Sequence, residues 1–231
     1  MLYARLISKG KDHGVQAFVI QIRDSQTHLP LPGINIGDVG PKLGFRNSDQ
    51  GFMSFNNVRV PKFALLDKFV KLSEDGTFTA STPHARKLTF GGMLNLRSLI
   101  IFMSHYYIGA QSVIASRYSF KRRQFTSRDG SDFPEALVIQ YQMQQYKVVP
   151  AISYTWSILL ALNQINALYG QYMDELAVFE KTQKGDPWTI LVDLHGIISG
   201  FKALSTWDGE KYSEILKQAC GGHGYMQIAG L

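Results

Sequence analysis

The residues of this chain best suited to chemistry cluster in two places. Near its end, Gln218-Ala219-Cys220-Gly221-Gly222-His223-Gly224-Tyr225 carries a helical pattern into three glycines within four positions. Glycine tolerates positive φ and has no Cβ, so bare backbone amides there can face a phosphate or the edge of a large ligand. The competing reading is a helix C-cap, which explains one glycine better than three. Upstream, Arg117, Lys121, Arg122, Arg123 and Arg128 form a local basic cluster. Three uses fit it: nucleic acid, cations complementing a helix C-terminus, and a phosphate-bearing small ligand. No nucleic-acid motif accompanies the cluster, so no nucleic-acid partner is expected. The anionic small ligand is favoured narrowly over the helix-end reading.

His223 lies between glycines, and a spacer or backbone-positioning role outweighs acid–base work. Cys220 reads as a small packing residue, because no motif supplies a base for it. Histidines and carboxylates show no metal-ligand spacing, and no metal is expected.

These residues must be positioned by two stretches of different grammar. Composition is that of a globular protein: 231 residues, 45% hydrophobic, 18% charged, a formal net charge of +6 and one cysteine. The lone cysteine leaves no internal disulfide and fits a reducing compartment. The longest apolar run, around Leu99 to Met103, is too short for a membrane span, and no targeting signal is evident. Residues 1–82 read as β structure, with strands expected from Leu2 to Ile7, Val15 to Ile22 and Phe52 to Val60, and a turn at Asp75-Gly76. From about Leu88 the pattern is helical. Met93, Leu96, Ile100, Met103, Tyr107, Ala110 and Ile114 form one apolar stripe on a helix expected to reach Lys121. A polar loop, Thr126 to Asp132, then precedes a helix from Pro134 that Pro150 interrupts or kinks. Asp186-Pro187 is a good helix start, and a short final helix is expected after Asp208-Gly209. The fold class is therefore α+β: a partial antiparallel β domain over 1–82, then an antiparallel helical bundle over 83–231. Three or four strands shield a sheet poorly, which suggests that the β domain is incomplete.

Four segments together resemble the acyl-CoA oxidase branch of the acyl-CoA dehydrogenase superfamily. They are Ala17 to Asp24 with His28 to Gly33; Gly37 to Gly44 with Phe55 to Pro61; Tyr118-Ser119-Phe120-Lys121-Arg122-Arg123-Gln124-Phe125; and the terminal glycine motif. The resemblance spans nearly the whole chain. It implies an FAD-dependent enzyme that converts an acyl-CoA and oxygen to a trans-2-enoyl-CoA and hydrogen peroxide in fatty-acid β-oxidation. It also implies a peroxisomal location and a homodimer with FAD at the subunit interface.

By the same resemblance, Arg122 pairs with the flavin pyrophosphate, Gln124 and Phe125 flank the adenosine part, and Gln142 hydrogen-bonds the cofactor. Gln218, Gly221 and Gly222 let the adenine–ribose end approach the backbone, and Arg97 reaches the acyl-CoA adenosine-phosphate arm, with a structural ion-pair role as its rival. The family's catalytic glutamate falls beyond Leu231, so no catalytic residue is assigned; Glu175, Glu180 and Glu210 read as solvated helix charges. The chain is expected to be truncated at both ends and inactive alone, since it lacks that base and the N-terminal helical domain. Two other readings stand: a truncated paralogue serving as a non-catalytic structural or regulatory subunit, and, less favoured, a basic helical binding module.

Overall fold

A computed structural model describes residues 1–82, 85–126, 134–182 and 184–231, with side chains between 85 and 92 left aside. The chain divides into two compact units, Met1–Phe90 and Gly91–Leu231.

The first unit is built from antiparallel hairpins. Strands β1 (Leu2–Ser8) and β2 (Lys11–Phe18) pair from Leu2 opposite Phe18 to Ser8 opposite Lys11. Lys9 and Gly10 both have positive φ, the mirror-image turn that suits a two-residue hairpin. This tight turn starts β2 four residues earlier than the expected Val15. After Phe18 the chain leaves β1, and Val19 N donates to Ala64 O at 2.7 Å. A second hairpin joins β3 (Ile34–Asp38) to β4 (Gly51–Phe55). The strand expected to reach Val60 stops at Phe55, because Asn57 turns into the left-handed region. Strands β5 (Val70–Leu72) and β6 (Phe78–Ala80) flank the expected Asp75-Gly76 turn. Leu65 and Val70 form a small core with Phe18, Leu72 and Phe78. The β1–β2 tip is clipped to the β5–β6 turn, where Lys9 Nζ donates to Asp75 and to Thr77 Oγ1, both at 2.8 Å.

The second unit is a three-helix bundle. Helices α1 (Ala85–Ser119), α2 (Gln142–Thr182) and α3 (Pro187–Ala219) have 35, 41 and 33 residues. Cross-links fix their directions: Gln144 with Ala219 and Tyr154 with Leu204 make α2 and α3 antiparallel, and Arg97 with Ser199 and Tyr118 with His223 make α1 and α3 parallel. Helix α1 buries Leu94, Ile101, Ile108 and Ala115, a seven-residue repeat. None of the expected stripe residues is buried; Leu96 and Tyr107 are more than half exposed. Both faces of α1 are apolar, so periodicity could not select the one that packs.

Asp186 caps α3 as expected, accepting from Trp188 N at 3.2 Å and from Thr189 Oγ1 at 3.0 Å. Helix α3 then runs unbroken through Asp208 and Gly209, correcting the expected separate final helix. Gly209 faces α1, where an added Cβ would sit 3.7 Å from Ile108. Pro150 lies inside α2 without interrupting it. The lost backbone bond costs roughly 3 kcal/mol, and the adjoining Val148 and Ala151 are buried in partial compensation.

The helix expected from Pro134 is also corrected. Residues Glu135–Leu137 form β8, paired with β7 (Arg123–Thr126), and α2 begins only at Gln142. The reason is local: Arg123 Nη1 donates to Glu135 O and Val138 N donates to Arg122 O, drawing the segment into a ribbon. The loop expected over Thr126 to Asp132 lies, beyond Thr126, outside the described residues.

Met93–Ser119 and Gln142–Thr182 are long and apolar enough to cross a membrane by length and composition, more than the short run noted in the sequence. A core helix of a bundle meets the same criteria. Here Ile158, Leu162, Ile165 and Tyr172 of α2 use their apolarity to pack with Leu191, Leu194 and Ile198 of α3.

Candidate functional site

Three helix ends meet at one end of the bundle: the C-terminus of α1, the N-terminus of α2 and the C-terminus of α3. Ala115, Val148, Ala151, Leu216, Ala219 and Cys220 form the apolar base of this junction. Above it, the Gln144 amide nitrogen donates to Ser119 Oγ and to Ala219 O, both at 2.8 Å, tying the three helices together. Cys220 is buried, and burial pushes its thiol pKa up, which leaves it a packing group and a poor nucleophile.

On this base the glycine motif winds into a short 3₁₀ turn, Gly221–Tyr225. Its glycines are used differently. Gly221 has φ of +57°, beside the Tyr118 hydroxyl. Any Cβ on Gly224 would overlap the Lys217 carbonyl. Gly222 has neither constraint: a Cβ there would meet no protein atom within 4 Å. The chain's own packing does not need glycine at that exposed position. His223 sits tilted over Tyr118, with ring centroids 5.7 Å apart, and that contact joins the terminal motif to the segment carrying Arg122.

Arg122 is exposed, and one of its guanidinium nitrogens donates to Gln124 Oε1 at 2.8 Å. That bond fixes the plane of the fork and leaves other N–H groups for an anion. Phe125 is 71% exposed and has φ of +61°, a strained conformation for a bulky residue. Gln142, the first residue of α2, is exposed, while its neighbours are engaged in the fold. Gln140 accepts from Leu137 N, Gln145 donates to Ile139 O, and Gln144 forms the clamp. Gln218 is also exposed, with its amide on Glu214 at 3.0 Å.

Arg97 is not at this end. It lies 22 residues before Ser119 on α1, about 33 Å away at 1.5 Å per residue. Its Nη1 donates to Ser199 Oγ at 2.8 Å and lies 3.2 Å from His195 Nε2, so part of the guanidinium is used to join α1 to α3. A groove of about 560 Å³ between α1 and α2, lined by Val113, Ile152 and Leu159, takes Arg117 from the basic cluster but none of Arg97, Arg122, Gln124, Phe125, Gln142, Gln218, Gly221 and Gly222. Glu175, Glu180 and Glu210 are exposed on helices. Among the described residues no cluster of His, Cys, Asp and Glu could hold a metal ion.

Sequence reasoning passed over three residues here. Tyr118 stood within a quoted motif without a role, Gln144 was one of several glutamines in a run, and Tyr141 was simply the residue before Gln142. Only Tyr118 had a signal, its place beside the basic cluster.

Antiparallel hairpins followed by a bundle, with an arginine, an exposed aromatic and a glycine turn at one end of the bundle, define an α+β architecture. The family model described as acyl-CoA oxidase, C-alpha1 domain, matches residues 90–231, and the chain belongs to the acyl-CoA oxidase family. Among curated relatives, peroxisomal acyl-coenzyme A oxidase 1 of Rattus norvegicus is 36% identical over 233 residues, covering 100% of this chain and 33% of its own. Acyl-coenzyme A oxidase 3 of Yarrowia lipolytica is 36% identical, over 99% of this chain and 32% of its own. The solved structure of Arabidopsis thaliana acyl-CoA oxidase 1 superposes with a TM-score of 0.86 at 31% identity, over 99% of this chain and 34% of that one. The Caenorhabditis elegans acyl-CoA oxidase-1 complexed with FAD and ATP gives 0.82 at 33%, over 97% and 31%. The chain spans about a third of the length of the relatives it matches.

Proposed function

We propose that this chain forms part of an FAD-dependent acyl-CoA oxidase, converting acyl-CoA and oxygen to trans-2-enoyl-CoA and hydrogen peroxide in peroxisomal fatty-acid β-oxidation. The observation that carries this reading is the convergence of two segments nearly a hundred residues apart in sequence on one helix junction. Arg122, Gln124, Phe125 and Gln142 stand on one side, Gln218, Gly221 and Gly222 on the other. The residues fit a dinucleotide. A guanidinium oriented by Gln124 matches a pyrophosphate, exposed Phe125 offers a ring face, and Gly222 leaves open backbone. FAD, when bound, supplies the redox chemistry; these residues hold and orient its adenosine–diphosphate end. The reading assigns no general base to this chain, and it includes a homodimer that shares FAD across subunits. Residues 1–82 and 83–231 serve as the end of the middle β domain and as the cofactor-binding bundle. Arg97, about 33 Å from the junction along α1, is proposed to reach the acyl-CoA adenosine-phosphate arm with the guanidinium nitrogens not given to α3.

The test is flavin content. Arg122→Lys keeps the charge and loses the fork, so the purified variant should retain about tenfold less FAD than the native protein at limiting cofactor. Unchanged flavin content at an unchanged melting temperature would remove Arg122 from the site.

A further inference from the structure

The most strained exposed residue at the junction is Phe125, and one neighbour brackets it. Tyr141 touches its turn twice: the Tyr141 hydroxyl donates to Gln124 O at 2.9 Å, and the Tyr141 ring meets the Phe125 ring edge-on, with centroids 6.3 Å apart at 89°. A left-handed Phe with most of its ring in solvent is unfavourable unless its surroundings hold it there. The hydroxyl bond holds the preceding carbonyl, and the ring contact sets the Phe125 side chain. Because Gln124 also orients Arg122, the same bracket steadies the guanidinium. Tyr141 is itself 38% exposed and immediately precedes α2, whose first turn is anchored by Gln144. The support is therefore tied to the helix junction.

We infer that Tyr141 is a positioning residue for the dinucleotide site: it holds Phe125 in its left-handed, ring-out conformation and so presents an aromatic face to the planar base of an adenine nucleotide. This rests on the FAD-binding reading above. The bound base would stack on the exposed part of the Phe125 ring.

A double-mutant cycle on the native protein, stripped of flavin and titrated with FAD by flavin fluorescence, tests this. Tyr141→Ala should raise the dissociation constant about tenfold in the Phe125 background, and less than about twofold in a Phe125→Leu background. Tyr141→Phe, which keeps the ring and loses the hydroxyl, should give an intermediate rise of about threefold. A purely structural role predicts the same factor in both backgrounds, and that additive result overturns the inference while leaving the FAD site standing. Loss of FAD binding in Tyr141→Ala accompanied by loss of helical circular dichroism, with Tyr141→Phe indistinguishable from the native protein, overturns it too. If the native protein itself binds no FAD, the cofactor reading fails and this inference fails with it.

Discussion

Substituting alanine at Gly224 and at Gly222 separates what the fold requires from what a ligand requires. A Cβ on Gly224 overlaps the Lys217 carbonyl, a backbone atom at the end of α3 that cannot move without unwinding the last turn. Forced overpacking of this kind costs roughly 1–3 kcal/mol, and a rigid backbone obstacle places Gly224→Ala near the upper end. For a chain of this size each kcal/mol lowers the melting temperature by about 2–4 °C. The expected fall is therefore about 6–12 °C. At Gly222 the added methyl meets open space and φ lies outside the left-handed region, so Gly222→Ala should stay within about 0.5 kcal/mol, or about 2 °C. Added FAD then distinguishes the two in the opposite sense. At about a hundred times its dissociation constant it should stabilise the native protein by about 2.7 kcal/mol and Gly222→Ala by much less. Differential scanning calorimetry with and without FAD measures all of this. Equal destabilisation by the two variants, or full FAD stabilisation of Gly222→Ala, would refute the division of labour.

Two further outcomes follow from the same geometry. Gln144→Ala removes the clamp between Ser119 and Ala219 and should cost about 1–3 kcal/mol in thermal unfolding; Gln142→Ala, on an exposed side chain, should leave stability unchanged. In the first unit, hydrogen bonds from Lys9, Ser73 and Thr77 hold the Asp75 carboxyl well below its ordinary value of 3.8. The unfolded chain then binds more protons in acid, so this contribution is present above about pH 4 and is lost as pH falls further. Asp75→Asn should flatten the acid limb of melting temperature against pH, and a limb of unchanged slope would contradict it.

Legibility from sequence followed how local each feature was. The Asp186-Pro187 helix start was readable because capping uses adjacent residues, and so was the Asp75-Gly76 turn. Features decided by distant partners were not. The α1 stripe was placed on the wrong face because Leu94, Ile101, Ile108 and Ala115 compete with a second apolar line, and only packing chooses between them. The helix at Pro134 was misread because Arg123, twelve residues before Glu135, draws that residue's backbone into a ribbon. At the site, the two motifs lie together at one helix junction. Periodicity and spacing could not reveal that Gly224 serves the fold and Gly222 leaves room, since that depends on where the Lys217 carbonyl lies. The same holds for Gln144: in a run of glutamines, only the one facing Ser119 and Ala219 becomes structural.

The most direct test of the central claim is flavin bound by the native protein. The account predicts a visible flavin absorption band that co-purifies with the protein and diminishes in Arg122→Lys. A native protein with no flavin, and no measurable FAD affinity on titration, would contradict it.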